Sequence, residues 1–514
     1  MDKPRNLILQ YSALELQERL TFGDLTTVAL VQICLDQIEL HNRRGFKLKA
    51  VISVDSTRQK VIARAELLDE ERKQGKLRSR VHGIPIIVKD AIVTDLSLEM
   101  PTTVGSHVFS HLKAKKNATL VDKLLGAGLI ILGKANMTEF CGLKGNEPIG
   151  WSSVMGQTLS PYRREDLPEG QQPISGGSSS GSAVSVAADF SPLAVGTETA
   201  GSTVLPASCN GLYAMKLTPG TVPTDGVFCL SESFDGIGVM ARNPADLAAL
   251  AEVLLARDGD GVHGLGTYPG TTTAVDGSLS RLAIGVVANT WGLYDKEKWT
   301  SADVVASYEN VVDLLRARGA RVVYPLEAPD HETLKDKGET LTTVAYAEFP
   351  AQVEQFITNF KENPRIKNLA DIIKWNEEHA DIALPEPHSS QSELIKALNS
   401  KMTERTRLET VAALRTLAGP QGIGKVMAEH DLDIILAPSD STLVSFAACA
   451  GWPIATVPLS RLEKNGQPYG FFVVARDGRQ DLLFKFMGGY HKAFPEAERP
   501  CRPFEEGAEE FFAD

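Results

Sequence analysis

No run of eighteen apolar residues occurs in the 514-residue chain, so the sequence offers no candidate for a transmembrane helix. Its first residues, Met1-Asp2-Lys3-Pro4-Arg5-Asn6-Leu7, lack the long apolar stretch of a secretory signal. Positive charge is also scarce, with 53 Lys and Arg against 65 Asp and Glu and a formal net charge of -12. Polyanion binding draws on an excess of cationic side chains, so direct nucleic-acid binding is disfavoured. Six cysteines (Cys34, Cys141, Cys209, Cys229, Cys449, Cys501) form neither CxxC pairs nor zinc-type spacings with histidine. Free thiols in a cytoplasmic protein without metal or cofactor are therefore expected. The composition itself is ordinary: 43% apolar and 23% charged residues suffice for a core that folds without a partner.

Along the chain, Leu, Glu and Gln dominate residues 12–42, and Ser12 and Thr26 are placed as N-caps of two amphipathic helices separated near Gly23. Short apolar runs then alternate with helical patterns: Ala50 to Val54, Ser56 to Gln74, Ile84 to Val88, Ala118 to Leu125 and Leu129 to Leu132. This alternation predicts an α/β fold. From about Lys134 to Asp235 the chain is rich in Gly, Ser, Pro and Thr, yet Ala183 to Ala188, Leu193 to Val195 and Ala207 to Leu217 carry too much apolar surface for a solvated tether. Ordered loops on a sheet fit better. Leu282 to Val287, Ala302 to Leu315 and Arg321 to Tyr324 read as a βαβ unit. Residues 340–417 turn helical and charged, with Pro364, Pro385 and Pro387 as interruptions, and are the candidate for a cap or substrate funnel before a strand at Asp433 to Leu436.

Three small features carry chemistry. Lys89 ends the apolar run Gly83-Ile84-Pro85-Ile86-Ile87-Val88; alone it reads as a surface lysine at a strand end. Gly176-Gly177-Ser178-Ser179-Ser180-Gly181-Ser182 reads either as a flexible loop or as a turn that presents N–H groups at a helix N-terminus. Glu198-Thr199-Ala200-Gly201-Ser202 is either an ordinary polar turn or a loop whose small residues let successive N–H groups converge. Together they supply what attack on a carbonyl requires: a hydroxyl, a base and oxyanion donors. For Lys89 to act as that base its pKa must fall, through burial or neighbouring positive potential.

Order and spacing of these segments, with Met100-Pro101-Thr102-Thr103, Gly133-Lys134-Ala135-Asn136-Met137-Thr138-Glu139-Phe140 and Gly211 to Pro219, resemble the amidase signature family of Ser-cisSer-Lys hydrolases. Glu198-Thr199 and Asp235 to Arg242 look most like peptide-amidase-type and fungal members. The resemblance implies one large domain over residues 1–514 with a central twisted mixed β-sheet flanked by helices on both faces and a catalytic core at 80–245. It implies that Ser202 is the nucleophile, Ser178 the bridging serine after a cis Gly177-Ser178 peptide, and Lys89 the base. The amides of Thr199, Ala200, Gly201 and Ser202 would form the oxyanion hole, and Ser179 would support Lys89 by hydrogen bonding.

Two departures from the family pattern stand out. Ala200 replaces a common Gly, and Val204 stands where many members carry Arg, which removes a partner from Glu198. Met137, Val204 and Leu205 are the candidate substrate-binding residues, and the apolar pair Val204-Leu205 argues against a carboxylate near the scissile bond. The expected activity is hydrolysis of a small, uncharged or apolar amide, ester or carbamate through an acyl-enzyme, by a monomer or homodimer. Two other readings compete. Gly177-Ser178-Ser179-Ser180-Gly181 also satisfies G-x-S-x-G, which would make Ser179 the nucleophile of an esterase needing His388, His430 or His491. A non-catalytic or amidotransferase-type subunit is the other. Gly419-Pro420-Gln421-Gly422-Ile423-Gly424-Lys425-Val426 departs from a P-loop at Val426 and reads as a turn between helices, and Arg257-Asp258-Gly259-Asp260-Gly261 reads as a solvated turn.

Overall fold

Short apolar runs bounded by Gly, Pro and polar turns are long enough for strands but not for buried helices, and in this chain they pair into one large sheet. The structure, a computed structural model, describes residues 8–256, 277–293, 301–361 and 365–494. In chain order the strands are β1 (Val51–Val54), β2 (Pro85–Lys89), β3 (Ile130–Ala135), β4 (Trp151–Ser152), β5 (Gly156–Gln157), β6 (Leu193–Glu198), β7 (Tyr213–Lys216), β8 (Gly236–Ala241), β9 (Ala283–Val287), β10 (Arg321–Leu326), β11 (Ile434–Pro438), β12 (Ile454–Arg461) and β13 (Pro468–Ala475). Among the described residues, eleven of them form a sheet in the order β1-β3-β2-β6-β8-β7-β12-β13-β11-β9-β10, while β4 and β5 pair separately. β2 runs parallel to both β3 and β6, and β9 runs parallel to both β10 and β11. The strands between these two parallel groups are antiparallel.

Successive side chains of a strand point to opposite faces, so each strand feeds two cores. On β13, Phe471, Val473 and Ala475 enter the largest apolar cluster, while Phe472 and Val474 enter a second one. On β6, Leu193 and Val195 join the largest cluster, whereas Ala194 packs with Ala183 and Val186 of the helix Ser180–Ala187. Both faces are thereby covered by helices.

Ser12 and Thr26 cap the first two helices, Ala13–Phe22 and Thr27–His41, and Glu15 completes a capping box with Ser12. The expected βαβ unit is present as β9, the helix Ala302–Ala317 and β10. Residues 340–417 are mostly helical, and Pro350 lies inside the helix Leu341–Ile357. Gly419–Ile423 forms a wide turn between the helices Glu404–Ala418 and Gly424–Glu429. Ala207 to Leu217 divides between the helix Val204–Cys209 and β7. β6 is three residues longer than its apolar run, because Gly196, Thr197 and Glu198 still pair with β8. Cys34, Cys141, Cys209, Cys229 and Cys449 form no disulfide. Pro364, Cys501 and the turn Arg257 to Gly261 lie outside the described residues. Among those described, no helix is long and apolar enough to cross a membrane.

Beside β2 the sheet buries a complete ion pair. Lys134 of β3 lies 3.4 Å from Asp90, both side chains fully enclosed, and donates to Ile92 O and Thr102 Oγ1 at 2.6 Å each. Asp90 Oδ2 accepts from Thr103 and Gly105, whereas Oδ1 has no hydrogen-bond partner and faces only the Lys134 charge. Burial lowers the Lys134 ammonium to about 8 against the pull of Asp90, and it raises the Asp90 carboxyl. Removing one member of such a pair strands the other charge. Lys134→Met is therefore expected to lower the unfolding free energy by about 3–5 kcal/mol, seen in urea titration as a lower midpoint at unchanged slope.

Candidate active site

The register that pairs Val88 with Val195 brings the end of β2 level with the last residues of β6. There Lys89 turns into the fold with no solvent exposure. Its Nζ lies 2.7 Å from Ser178 Oγ, 2.9 Å from Thr197 Oγ1 and 3.3 Å from Thr197 O. Burial pulls its pKa down, and the nearby Cys141, Asp235 and Glu198 oppose that shift. Other buried lysines have other partners: Lys134 faces Asp90, Lys144 lies 2.8 Å from Glu139, and Lys216 donates to two carbonyls. Among the described residues Lys89 forms no ion pair. A neutral amine accepts a hydrogen bond, so a Lys89 that has lost its proton can receive the Ser178 hydroxyl.

Ser178 follows a cis peptide after Gly177. Glycine at 177 leaves room for the Ile149 side chain, whose Cγ2 would lie 2.4 Å from an added Cβ. Ser179 stands at the N-terminus of the helix Ser180–Ala187, its N–H donating to Ser202 O at 3.0 Å, which fastens the two serine segments together. The expected bond from Ser179 to Lys89 is replaced by one to their shared neighbour: Ser179 Oγ donates to Thr197 O at 3.2 Å. Gly196 permits this approach, since a Cβ there would sit 2.6 Å from Ser179 Oγ.

Beyond β6 the chain turns through Thr199, Ala200 and Gly201, the last at φ +87°, to the partly buried Ser202. Among the described residues the N–H groups of Ala200, Gly201 and Ser202 have no hydrogen-bond acceptor within the protein. Glu198, far from losing its partner, turns Oε2 onto the N–H groups of Thr203 at 2.7 Å and Val204 at 3.0 Å, while Oε1 stays unpaired. The Ser178 and Ser202 hydroxyls are not hydrogen-bonded to one another in this state, and such contacts commonly tighten only when substrate arrives.

Two candidate substrate-binding residues are corrected. Met137 and Val204 are fully enclosed: Met137 belongs to the main core, and Val204 begins the helix Val204–Cys209 with its side chain in the second cluster. Only Leu205 retains partial exposure. Ser179 follows a loop rather than a strand, which removes the geometry of a nucleophile elbow, and His388 and His491 pack on Trp151 and Tyr213.

Sequence reasoning missed Thr197, Cys141, Lys216 and Asp235. Lys216 had a signal, because like Lys89 it ends an apolar strand. The Cys141 thiol is raised by burial and lowered in turn by Lys89, Thr197 and Ser178, so it touches the same cluster. Nothing in the sequence pointed to that contact.

A buried amine hydrogen-bonded to a serine, next to a turn of free N–H groups, is an arrangement suited to attack on a carbonyl carbon. The family model for amidases matches residues 29–484, and the chain belongs to that family. It is similar to the peptide amidase of Stenotrophomonas maltophilia, with 32% identity, a TM-score of 0.83 and coverage of 96% of this chain and 99% of that one. An amidase family protein from Bacillus anthracis gives 27% identity and a TM-score of 0.83 over 97% of this chain and 93% of its own. One component of the glutamyl-tRNA(Gln) amidotransferase of Chloroflexus aurantiacus is 36% identical over 271 residues, 52% of each chain. The protein is an enzyme that hydrolyses a carbon–nitrogen amide bond.

One carboxyl on the segment before Ile149 titrates near neutrality. Burial, aided by Glu139, pushes Glu147 up from 4.5 to about 7, and its Oε1 has no partner. The folded state then binds a proton that the unfolded chain has lost, so this stabilisation is full below about pH 4.5 and disappears as pH rises through about 7. Glu147→Gln should cancel this loss. Its unfolding free energy, compared with the parent's, should gain roughly 3 kcal/mol between those limits.

Proposed function

We propose that Ser202 is the nucleophile, Ser178 the proton bridge and Lys89 the base. The observation that carries this reading is the 2.7 Å contact between Ser178 Oγ and a fully buried lysine whose pKa is lowered by that burial. Ser202 Oγ attacks the amide carbon; its proton passes to Ser178 as the Ser178 proton passes to Lys89. The N–H groups of Ala200, Gly201 and Ser202, with that of Thr199, receive the charge that develops on the carbonyl oxygen. As the carbon–nitrogen bond breaks, Lys89 returns the proton through Ser178 to the leaving nitrogen. Water then attacks the ester on Ser202, its proton following the same path, and releases the acid. Ser179 keeps Thr197 and Ser202 in register.

The substrate class we propose is a small, uncharged or apolar amide, peptide amides among them. Ile149, 53% exposed beside Gly177, and the partly exposed Leu205 supply apolar surface near the serines. A cavity of about 290 Å³ reaches Asp235 and is lined by Asp225 and Glu232 but by no Lys or Arg, which opposes anionic groups. The helices of residues 340–417, which contribute Gln352, Gln355 and Phe356 to this cavity, act as the cap. Five described cysteines without a disulfide favour a reducing compartment.

A fluorophosphonate probe followed by intact-protein mass tests the assignment. The parent should gain one adduct, Ser202→Ala should gain none, Ser179→Ala should react, and Lys89→Ala should react slower by about 10²-fold or more. An adduct that persists in Ser202→Ala, or a Lys89→Ala that reacts as fast as the parent, overturns it.

A further inference from the structure

An oxyanion hole made of backbone amides works only if the peptide planes are already aimed, and the Thr199 to Ser202 turn is partly exposed with a glycine in it. Two buried side chains, a lysine and an aspartate, grip its first residue. Lys216, at the end of β7, donates from Nζ to Thr199 O at 2.7 Å and to Phe234 O at 2.7 Å. Asp235 Oδ1 accepts from Thr199 Oγ1 at 2.6 Å, and Oδ2 accepts from Leu230 N at 2.8 Å. The far end of the turn is tied by Glu198.

A trans peptide is planar, with its C=O and the following N–H pointing in opposite directions. Fixing Thr199 O against Lys216 Nζ therefore fixes the Ala200 N–H on the other side of the same plane, where that N–H has no acceptor within the protein. A donor on the carbonyl also polarises the amide and strengthens its N–H as a donor. Building on the proposed Ser202 mechanism, we infer that Lys216 and Asp235 are positioning residues that aim the Ala200 amide at the oxyanion, Lys216 through the Thr199 carbonyl and Asp235 through the Thr199 hydroxyl. Neither side chain touches substrate through these bonds. Their effect on the oxyanion runs through the orientation of one peptide plane.

Asp235 has its own anchor. Its loop is held by Glu348 of the helix Leu341–Ile357, which accepts from Ser231 Oγ, Ser233 Oγ and Arg407, and by Arg415, which donates to Ser233 O. Helices of the 340–417 block thus reach the oxyanion turn through two polar links.

The test follows the rate and pH profile of Ser202 phosphonylation by the same fluorophosphonate, whose P=O oxygen gains charge in the oxyanion site. Removing one oxyanion donor costs on the order of 10²–10³-fold, so Lys216→Met should slow labelling by about 10²-fold. The midpoint of its pH profile should stay at the parent value, because Lys89 remains. Thr199→Val, which keeps size and loses the hydroxyl, should slow labelling by roughly tenfold with the same midpoint, whereas Asp235→Asn, which also removes a charge that holds the Lys89 pKa up, should slow labelling and move the midpoint down. Thr199→Val carries the test should Lys216→Met fail to fold. Folded Lys216→Met and Thr199→Val that label at parental rates overturn the inference while leaving Ser202 as nucleophile; a shifted midpoint in either of these two variants also overturns it, since the change would then act on the base. Absence of an adduct on the parent's Ser202 overturns both the mechanism and this extension.

Discussion

Enclosing an amine in protein lowers its pKa, because desolvation disfavours the charged form. Lys89 is in that position: its contacts include the hydroxyls of Ser178 and Thr197 and one carbonyl, with the Cys141 thiol in the same cluster. Everything else at the site is arranged around this. The two parallel strands beside β2 enclose the lysine, Gly196 lets Ser179 close over the strand end, and the Ser179 to Ser202 backbone bond fixes the second serine segment to the first.

The remaining charges around the turn fall into a graded series. Glu198 ties its end through backbone N–H groups, Asp235 and Lys216 grip its first residue, and Glu348, Arg407 and Arg415 hold the loop that carries Asp235. A chain that places Val204 where relatives of similar pattern carry Arg still satisfies one Glu198 oxygen, because the start of the helix Val204–Cys209 offers two free N–H groups. Backbone donors at the start of a helix stand in for a cation there.

Local structure was legible wherever one period dominated. The two N-capped helices, the βαβ unit and the strand ending at Lys89 follow from apolar spacing and cap residues. Strand order was not legible: β6 lies next to β2 although β3 intervenes in sequence, and that contact depends on packing over both faces. The site was readable in the same uneven way. Lys89, Ser178, Ser179 and Ser202 sit in short unusual segments and do come together, whereas Thr197 and Cys141 reach the cluster through chain geometry that residue types do not encode. Met137 and Val204 mislead because closeness in sequence to a serine segment does not imply exposure, and both side chains point into core. Lys216 shows that a lysine ending an apolar strand is a signal of burial.

The protonation state of Lys89 in the resting enzyme tests the account most directly. With isotope-labelled lysine Nζ, the resonance lost in Lys89→Arg can be assigned and followed against pH in the parent protein. A neutral amine over the pH range in which Ser202 reacts is the result the account predicts. An ammonium that persists throughout that range would contradict it, because a lysine that keeps its proton cannot take one from Ser178.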